Sequence, residues 1–330
     1  MKKLFIIFLG LYTSSCYAQD PNFSQFFSSP LTLNPAMAGT GEGEGRLSAN
    51  FRHTWIGSSS PFTTGLVGFD KAIMKNKLQE SDKFGIGGYA LYDQSNGGAL
   101  KASSAGLAVA YHKGLDASGA NSIGFGFQGT YVNRRLDYTK LTFEDQFTGG
   151  GFDPDVTSGD ASGNGAKSYF DFNLGVLYRY RAEKFSGYLG GTVNHLMKPK
   201  DNIWDELSGR RKFTIHTGAE YKLNQESDIQ ANVIYQARGK ANEVSLGGAY
   251  GIKLNSDQNE ELELWLGGYM RIKDAFYPYM AVDYKNIRAG LSYDVTVSSM
   301  KSASASRKSI EFSFIYAFTK KSGDGKKISF

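Results

Sequence analysis

Five carboxylates, Glu144, Asp145, Asp153, Asp155 and Asp160, crowd one glycine-rich stretch, FEDQFTGGGFDPDVTSGDASGNGAKS. Oxygen donors at that density are what calcium takes, a hard cation that accepts flexible geometry. Their spacing lacks the fixed pattern of an EF-hand loop, so the expectation is a solvated external loop, residues 136–166, serving as a partner surface or folding into a lumen, with no metal assigned. The four histidines, His53, His112, His195 and His216, lie far apart in the chain, each on its own expected strand or strand end, and no two have a metal-ligand spacing. His195 reads as a strand-end residue whose ring bonds a nearby backbone group. GEGEGR, residues 41–46, has the glycines of a phosphate loop, but its glutamates repel phosphate and no lysine-serine pair follows. No Ser-His-Asp grouping emerges, so the expectation is a protein without catalytic role or cofactor.

The elements that must position these residues begin with an apolar run, Leu4 to Leu11, behind Lys2 and Lys3. It is too short to span a bilayer and has the length of a secretory signal, expected to be cut after Ala18. The only cysteine, Cys16, would be the alternative, lipidated terminus, but Thr13 stands where a lipoprotein signal wants an aliphatic residue. The organisation expected is thus 1–18 signal peptide, 19–44 N-terminal lead-in and plug segment, and 45–330 barrel. In the lead-in, Pro21, Pro30 and Pro35 forbid a continuous helix or central strand, and Asn34-Pro35 and Gly39 mark turns.

Beyond residue 44 the composition suits many strands joined by turns, with 40 glycines, 7 prolines and 14% aromatics. Ile123, Phe125, Phe127 and Tyr131 share one face, opposite Gly124, Gly126, Gln128 and Thr130; Ile310, Phe312, Phe314, Tyr316 and Phe318 oppose Glu311, Ser313 and Ala317. This period of two, over segments longer than a soluble sandwich uses, predicts an all-β transmembrane antiparallel barrel in the outer membrane. Fourteen strands are expected, near 45–57, 62–73, 83–93, 100–113, 121–135, 167–181, 185–197, 211–223, 228–238, 241–254, 261–272, 275–285, 286–297 and 307–319. An even count leaves both termini on the periplasmic side, and short turns after strands 6, 8, 10 and 12 agree with that orientation, the longer segment Ala72 to Asp82 after strand 2 being the exception. The net charge of +5 is scattered among acids, with no basic stripe for nucleic acid.

Three separated motifs carry a family resemblance. The first is Phe23-Ser24-Gln25 with Leu33 to Gly39, including Asn34, Pro35 and Gly39; the second is FRHTWIG, with Phe51, Arg52, Trp55 and Gly57; the third is VNHLMKP, with Asn194, His195, Leu196 and Pro199. Together they resemble the PorP/SprF family, outer-membrane proteins of type IX secretion and gliding in Bacteroidetes-type bacteria, with Thr54 where the family pattern has Gln. The resemblance implies a non-enzymatic barrel that anchors a secreted, adhesin-like surface protein or links to the periplasmic complex, with other secretion components and outer-membrane lipid as partners. Candidate partner-binding residues are Phe23, Gln25, Asn34, Pro35, Gly39, Arg52, Trp55, His195, Pro199 and Trp204, the last a tryptophan among the charges of the expected external loop 198–210. The lead-in 22–38 is expected to offer irregular, exposed backbone for docking, the stretch 19–44 is long enough to fill the lumen, and Pro30 and Pro35 with Phe23, Phe26 and Phe27 make it irregular yet apolar, so that it is expected to pack inside or against the barrel. The competing reading is a porin, with an open lumen; a barrel-wall lipase would need a clustered Ser-His pair that the strands do not supply.

Overall fold

The computed structural model describes residues 21–41, 43–56, 61–74, 78, 81–153, 155–159, 165–198, 210–255, 262–297 and 308–318. Fourteen strands close into one antiparallel barrel: β1 Gly45–Thr54, β2 Phe62–Ile73, β3 Lys83–Ser95, β4 Leu100–Gly114, β5 Asn121–Leu136, β8 Gly165–Arg181, β9 Phe185–Asn194, β10 Lys212–Lys222, β11 Ser227–Arg238, β12 Ala241–Asn255, β13 Leu262–Arg271, β14 Ala275–Tyr284, β15 Ile287–Thr296 and β16 Lys308–Phe318. Each pairs with its chain neighbour, and β1 closes the ring on β16 in a register running from Gly45↔Phe318 to Thr54↔Ser309. A two-residue ribbon, β6 Phe147–Thr148 with β7 Gly151–Phe152, stands apart in the loop between β5 and β8.

All fourteen expected strands are present, each within a few residues of its reading. The expected 45–57 and 185–197 overran their C-terminal ends for the same reason. Trp55 (φ 63°) and His195 (φ 60°) adopt the left-handed conformation, which breaks a strand and which side chains other than glycine rarely visit.

Alternation decides which face meets what. Phe51, Val67, Leu107, Phe125, Phe170, Ile215 and Phe312 point out and are exposed on the isolated chain, whereas Ser48, Asn50, Arg52, Gln128, Asp171, His216, Asn232 and Glu311 point in and are buried. A soluble protein cannot leave such an apolar belt in water; a bilayer accommodates it, and Tyr111, Tyr178, Tyr180, Tyr221, Tyr284 and Phe318 ring one edge of the belt as an aromatic girdle does. No described helix is long and apolar enough to cross a membrane.

The two ends differ. At one, β8–β9, β10–β11 and β14–β15 are joined by tight turns; at the other lie the stretch between β5 and β8 and the connection after β9. In the short-turn segment 115–120, Asp116 accepts from the Asn121 side-chain amide, the Ser118 hydroxyl and the Ala120 and Asn121 backbone amides. These bonds, the Asn121 side chain first, hold its carboxyl down to about 2, so the turn keeps its closure until the pH falls toward that value.

Candidate functional site

The lumen is occupied by the chain's own lead-in. Residues 23–40 are buried except Thr32, and the molecule's main apolar cluster forms between them and the wall: Phe26, Phe27, Leu33 and Met37 against Leu177, Trp265, Tyr269, Tyr277 and Tyr279. Phe27 lies 5.2 Å from the Tyr269 ring and edge-on to Tyr279 at 5.5 Å, geometries that aromatic pairs favour. Local sequence dictates the lead-in's shape. Prolines cannot continue a ladder but suit the first position of a turn, and so Pro30 opens the single helical turn α1 (Pro30–Leu33) and Pro35 opens a 3-10 turn, Pro35–Met37. Asn34 caps the second turn by accepting from the Ala36 amide at 2.8 Å.

The lead-in runs the length of the barrel. Asn22 lies at the long-loop end, where its carbonyl accepts from Arg52 at 2.5 Å, and Thr40 lies at the short-turn end, where its carbonyl accepts from Arg179 at 3.1 Å. Four glycines on the inner wall make room for it. A Cβ added to Gly85 (β3) would sit 2.0 Å from the Ala38 oxygen, one on Gly126 (β5) 2.1 Å from the Ala36 nitrogen and one on Gly175 (β8) 1.9 Å from Asn34 Oδ1, while one on Gly190 (β9) would meet the His216 ring first, at 2.3 Å, and Asn34 Nδ2 at 2.8 Å. These positions are glycine because backbone or a short polar side chain meets the wall there.

Polar contacts fix three levels. At the long-loop end Glu311 on β16 accepts from the backbone amides of Ser24 (2.6 Å) and Gln25 (2.9 Å), and Asp294 on β15 accepts from the Ser24 hydroxyl at 2.6 Å. Gln25 is read from both ends of its amide: Nε2 donates to Ser292 Oγ and the Glu311 carbonyl, and Oε1 accepts from Ser313 at 2.6 Å. Two arginines balance the carboxylates, Arg52 bonded to Asp294 at 2.8 Å and Arg271 donating to Ser24 Oγ at 3.0 Å. At mid-barrel Asn34 donates to the Val176 carbonyl at 3.0 Å and to His216 Nε2 at 3.0 Å, and Thr192 donates to the Leu33 carbonyl. At the short-turn end Asp70 joins Arg46 (2.9 Å) to the Gly39 amide (2.8 Å), and His112 donates to the Ala38 carbonyl at 3.0 Å. Charges this deep persist only when paired and hydrogen-bonded, as these are.

One further chain of bonds links the lead-in to the long-loop rim. The His195 amide donates to Asn173 Oδ1 (3.2 Å), Asn173 Nδ2 to Gln128 Oε1 (2.7 Å), and Gln128 Nε2 to the Leu31 carbonyl (2.9 Å). The His195 ring lies 2.5 Å from Asp171. A carboxylate is therefore among the ring's partners, where sequence pointed to a backbone group.

Of the ten residues proposed from sequence, Phe23, Gln25, Asn34, Pro35, Gly39 and Arg52 converge on the lumen, Trp55 sits at the end of β1 with its ring edge-on to Phe62 at 4.5 Å, and His195 sits at the end of β9. Pro199 and Trp204 lie outside the described residues. The expected exposed lead-in backbone is corrected: its polar groups are turned to the inner wall, because a segment with this many apolar residues and unpaired amides is stabilised by burial beside donors and acceptors. Sequence reasoning missed Asp70, Gln128, Asp294, Glu311 and the wall glycines. Their one signal is a polar or absent side chain on the face opposite the aromatics.

Comparison with known proteins places this architecture. The sequence profile described as type IX secretion system membrane protein PorP/SprF matches residues 15–316. No curated protein matches the chain. Among solved structures, the toluene transporter TbuX of Ralstonia pickettii aligns over 88% of this chain and 94% of its own, with a TM-score of 0.51 and 9% identity. A FadL homologue of Pseudomonas aeruginosa aligns over the same shares at TM-score 0.49 and 10% identity. The Pseudomonas putida toluene transporter TodX covers 87% and 93%, again with a TM-score of 0.49 and 10% identity. At this identity the likeness to TbuX is one of fold.

Proposed function

We propose, from the premise that this chain belongs to the PorP/SprF family of type IX secretion system membrane proteins, that it is a closed outer-membrane anchor that holds a secreted, adhesin-like protein at the cell surface. The barrel lies in the outer membrane, with the long-loop end outward as connection lengths in bacterial barrels dictate. The observation that carries the reading is the filled lumen. A pore needs a continuous polar passage, whereas here Phe26, Phe27, Leu33 and Met37 occupy the centre and the lead-in is bonded to the wall at three levels. A barrel so braced supports a rigid platform for its outer loops better than it supports diffusion, and this weighs against the porin reading. Linking to the periplasmic complex would fall to the short-turn end.

Capture of the unaltered chain from a mildly solubilised outer-membrane fraction with an antibody tests this. The expected yield is other type IX components together with one secreted surface protein, absent when the gene is deleted. Recovery of the chain alone contradicts the anchor.

A further inference from the structure

The loop between β5 and β8 carries a feature that neither the barrel nor the lead-in uses. Its ribbon, β6 with β7, turns through Gly149 and Gly150 and holds Phe147 against Phe152, ring centroids 5.4 Å apart. Both rings face solvent, Phe147 at 65% and Phe152 at 41% exposure. The tip is built and not slack. Gln146, buried beneath it, accepts from the Phe143 amide at 2.9 Å and donates to the Val156 carbonyl at 3.0 Å, its own carbonyl accepts from the Asp153 amide, and Asp145 accepts from the Gly159 amide at 2.7 Å. Around this apolar tip stand Glu144, Asp145, Asp153 and Asp155, and the segment 141–159 contains no lysine or arginine.

We infer that this phenylalanine-tipped ribbon is a docking knob for a protein that presents an apolar slot bordered by lysine or arginine. The inference rests on the outward orientation and surface-anchor reading above. Two adjacent aromatic side chains on a ribbon hydrogen-bonded at its base offer large contact area with few rotatable bonds of their own, the character of an interface anchor. Four carboxylates around them choose the partner's charge and steer its approach. An anionic lipid surface is disfavoured by the same charges, which it would repel.

The test places a photo-crosslinking phenylalanine analogue at Phe147, at Phe152 and, as a control, at the exposed Leu115 of a short turn, each in the full-length chain in its own outer membrane. Both tip positions are expected to yield one and the same protein adduct, and Leu115 is expected not to yield that adduct. Adduct yield should fall at least tenfold when ionic strength rises from ~0.1 M to ~1 M, which shortens the screening length from about 10 Å to about 3 Å. Asp153→Lys with Asp155→Lys should give a similar loss. Adducts to lipid only, to a second copy of this chain only, or none at all overturn the knob. A surface protein still captured with the unaltered chain in that event leaves the anchor reading standing and moves its docking elsewhere; no surface protein in either experiment removes the anchor reading itself.

Discussion

Gly126→Val is expected to expel the lead-in from the lumen while the barrel stays closed. The first side-chain atom would fall 2.1 Å from the Ala36 nitrogen and 2.4 Å from the Pro35 carbonyl carbon, both backbone, so no side-chain rotation relieves the clash. Valine is at home in a strand, so β5 itself loses nothing by the change. Overpacking of this kind costs about 1–3 kcal/mol where neighbours can shift, and here the shift pulls Asn34 from its bonds to Val176 and His216. Ser28→Cys in a Cys16→Ser background reports the outcome, since Ser28 is buried in the parent and no side-chain bond is lost. A thiol reagent should label it slowly in the parent and faster by orders of magnitude with Gly126→Val. Gly65→Val is the control: its Cβ meets open space within 4 Å, and labelling should stay slow. Equal labelling in all three chains sinks the idea that wall glycines seat the lead-in.

Arg52→Ala should produce the largest loss of stability of any single change at the long-loop end. Arg52 is the closer of two cations to Asp294, at 2.8 Å against 3.4 Å for Arg271; it faces Glu311 at 3.8 Å and donates to the Asn22 carbonyl. Its removal leaves one cation for two carboxylates, both almost wholly buried. Breaking a buried pair from one side costs about 3–5 kcal/mol, because the remaining charge keeps its desolvation penalty without its partner. The midpoint of urea unfolding in detergent should fall accordingly. Arg52→Ala with Glu311→Gln should recover part of the loss, as the orphaned charge is then gone; a double variant whose loss equals the two single losses added together would show that charge balance is not the cause.

The barrel was legible because its signal is local. Phe125, Phe127 and Tyr131 alternate with Gly124, Gly126 and Gln128 on one strand, and that pattern announces a two-faced sheet wherever it occurs. The strand ends at Trp55 and His195 were not legible, since tryptophan does not announce a left-handed backbone and histidine, though it visits one more often than most side chains, does so in a small minority of cases. Prolines declared the lead-in irregular, but where it lies depends on the whole ring. Gln25 meets Ser292, Glu311 and Ser313 across more than 260 residues of sequence, and only closure of β1 on β16 brings them together. Gly126 and Gly175 lie within expected strands and read only as small residues that weaken a strand until the lead-in is seen against them. Arg52 was found through a motif, while its partners Asp294 and Glu311 sit singly on strands with no motif of their own.

Single-channel recording of the unaltered, purified chain in a planar bilayer tests the filled lumen most directly. A bilayer with no conductance steps above background at moderate voltage is expected, with steps that emerge once residues 22–38 are deleted. Regular open-channel steps from the unaltered chain would contradict it: the lead-in would then not seal the barrel, and the porin would be the better description.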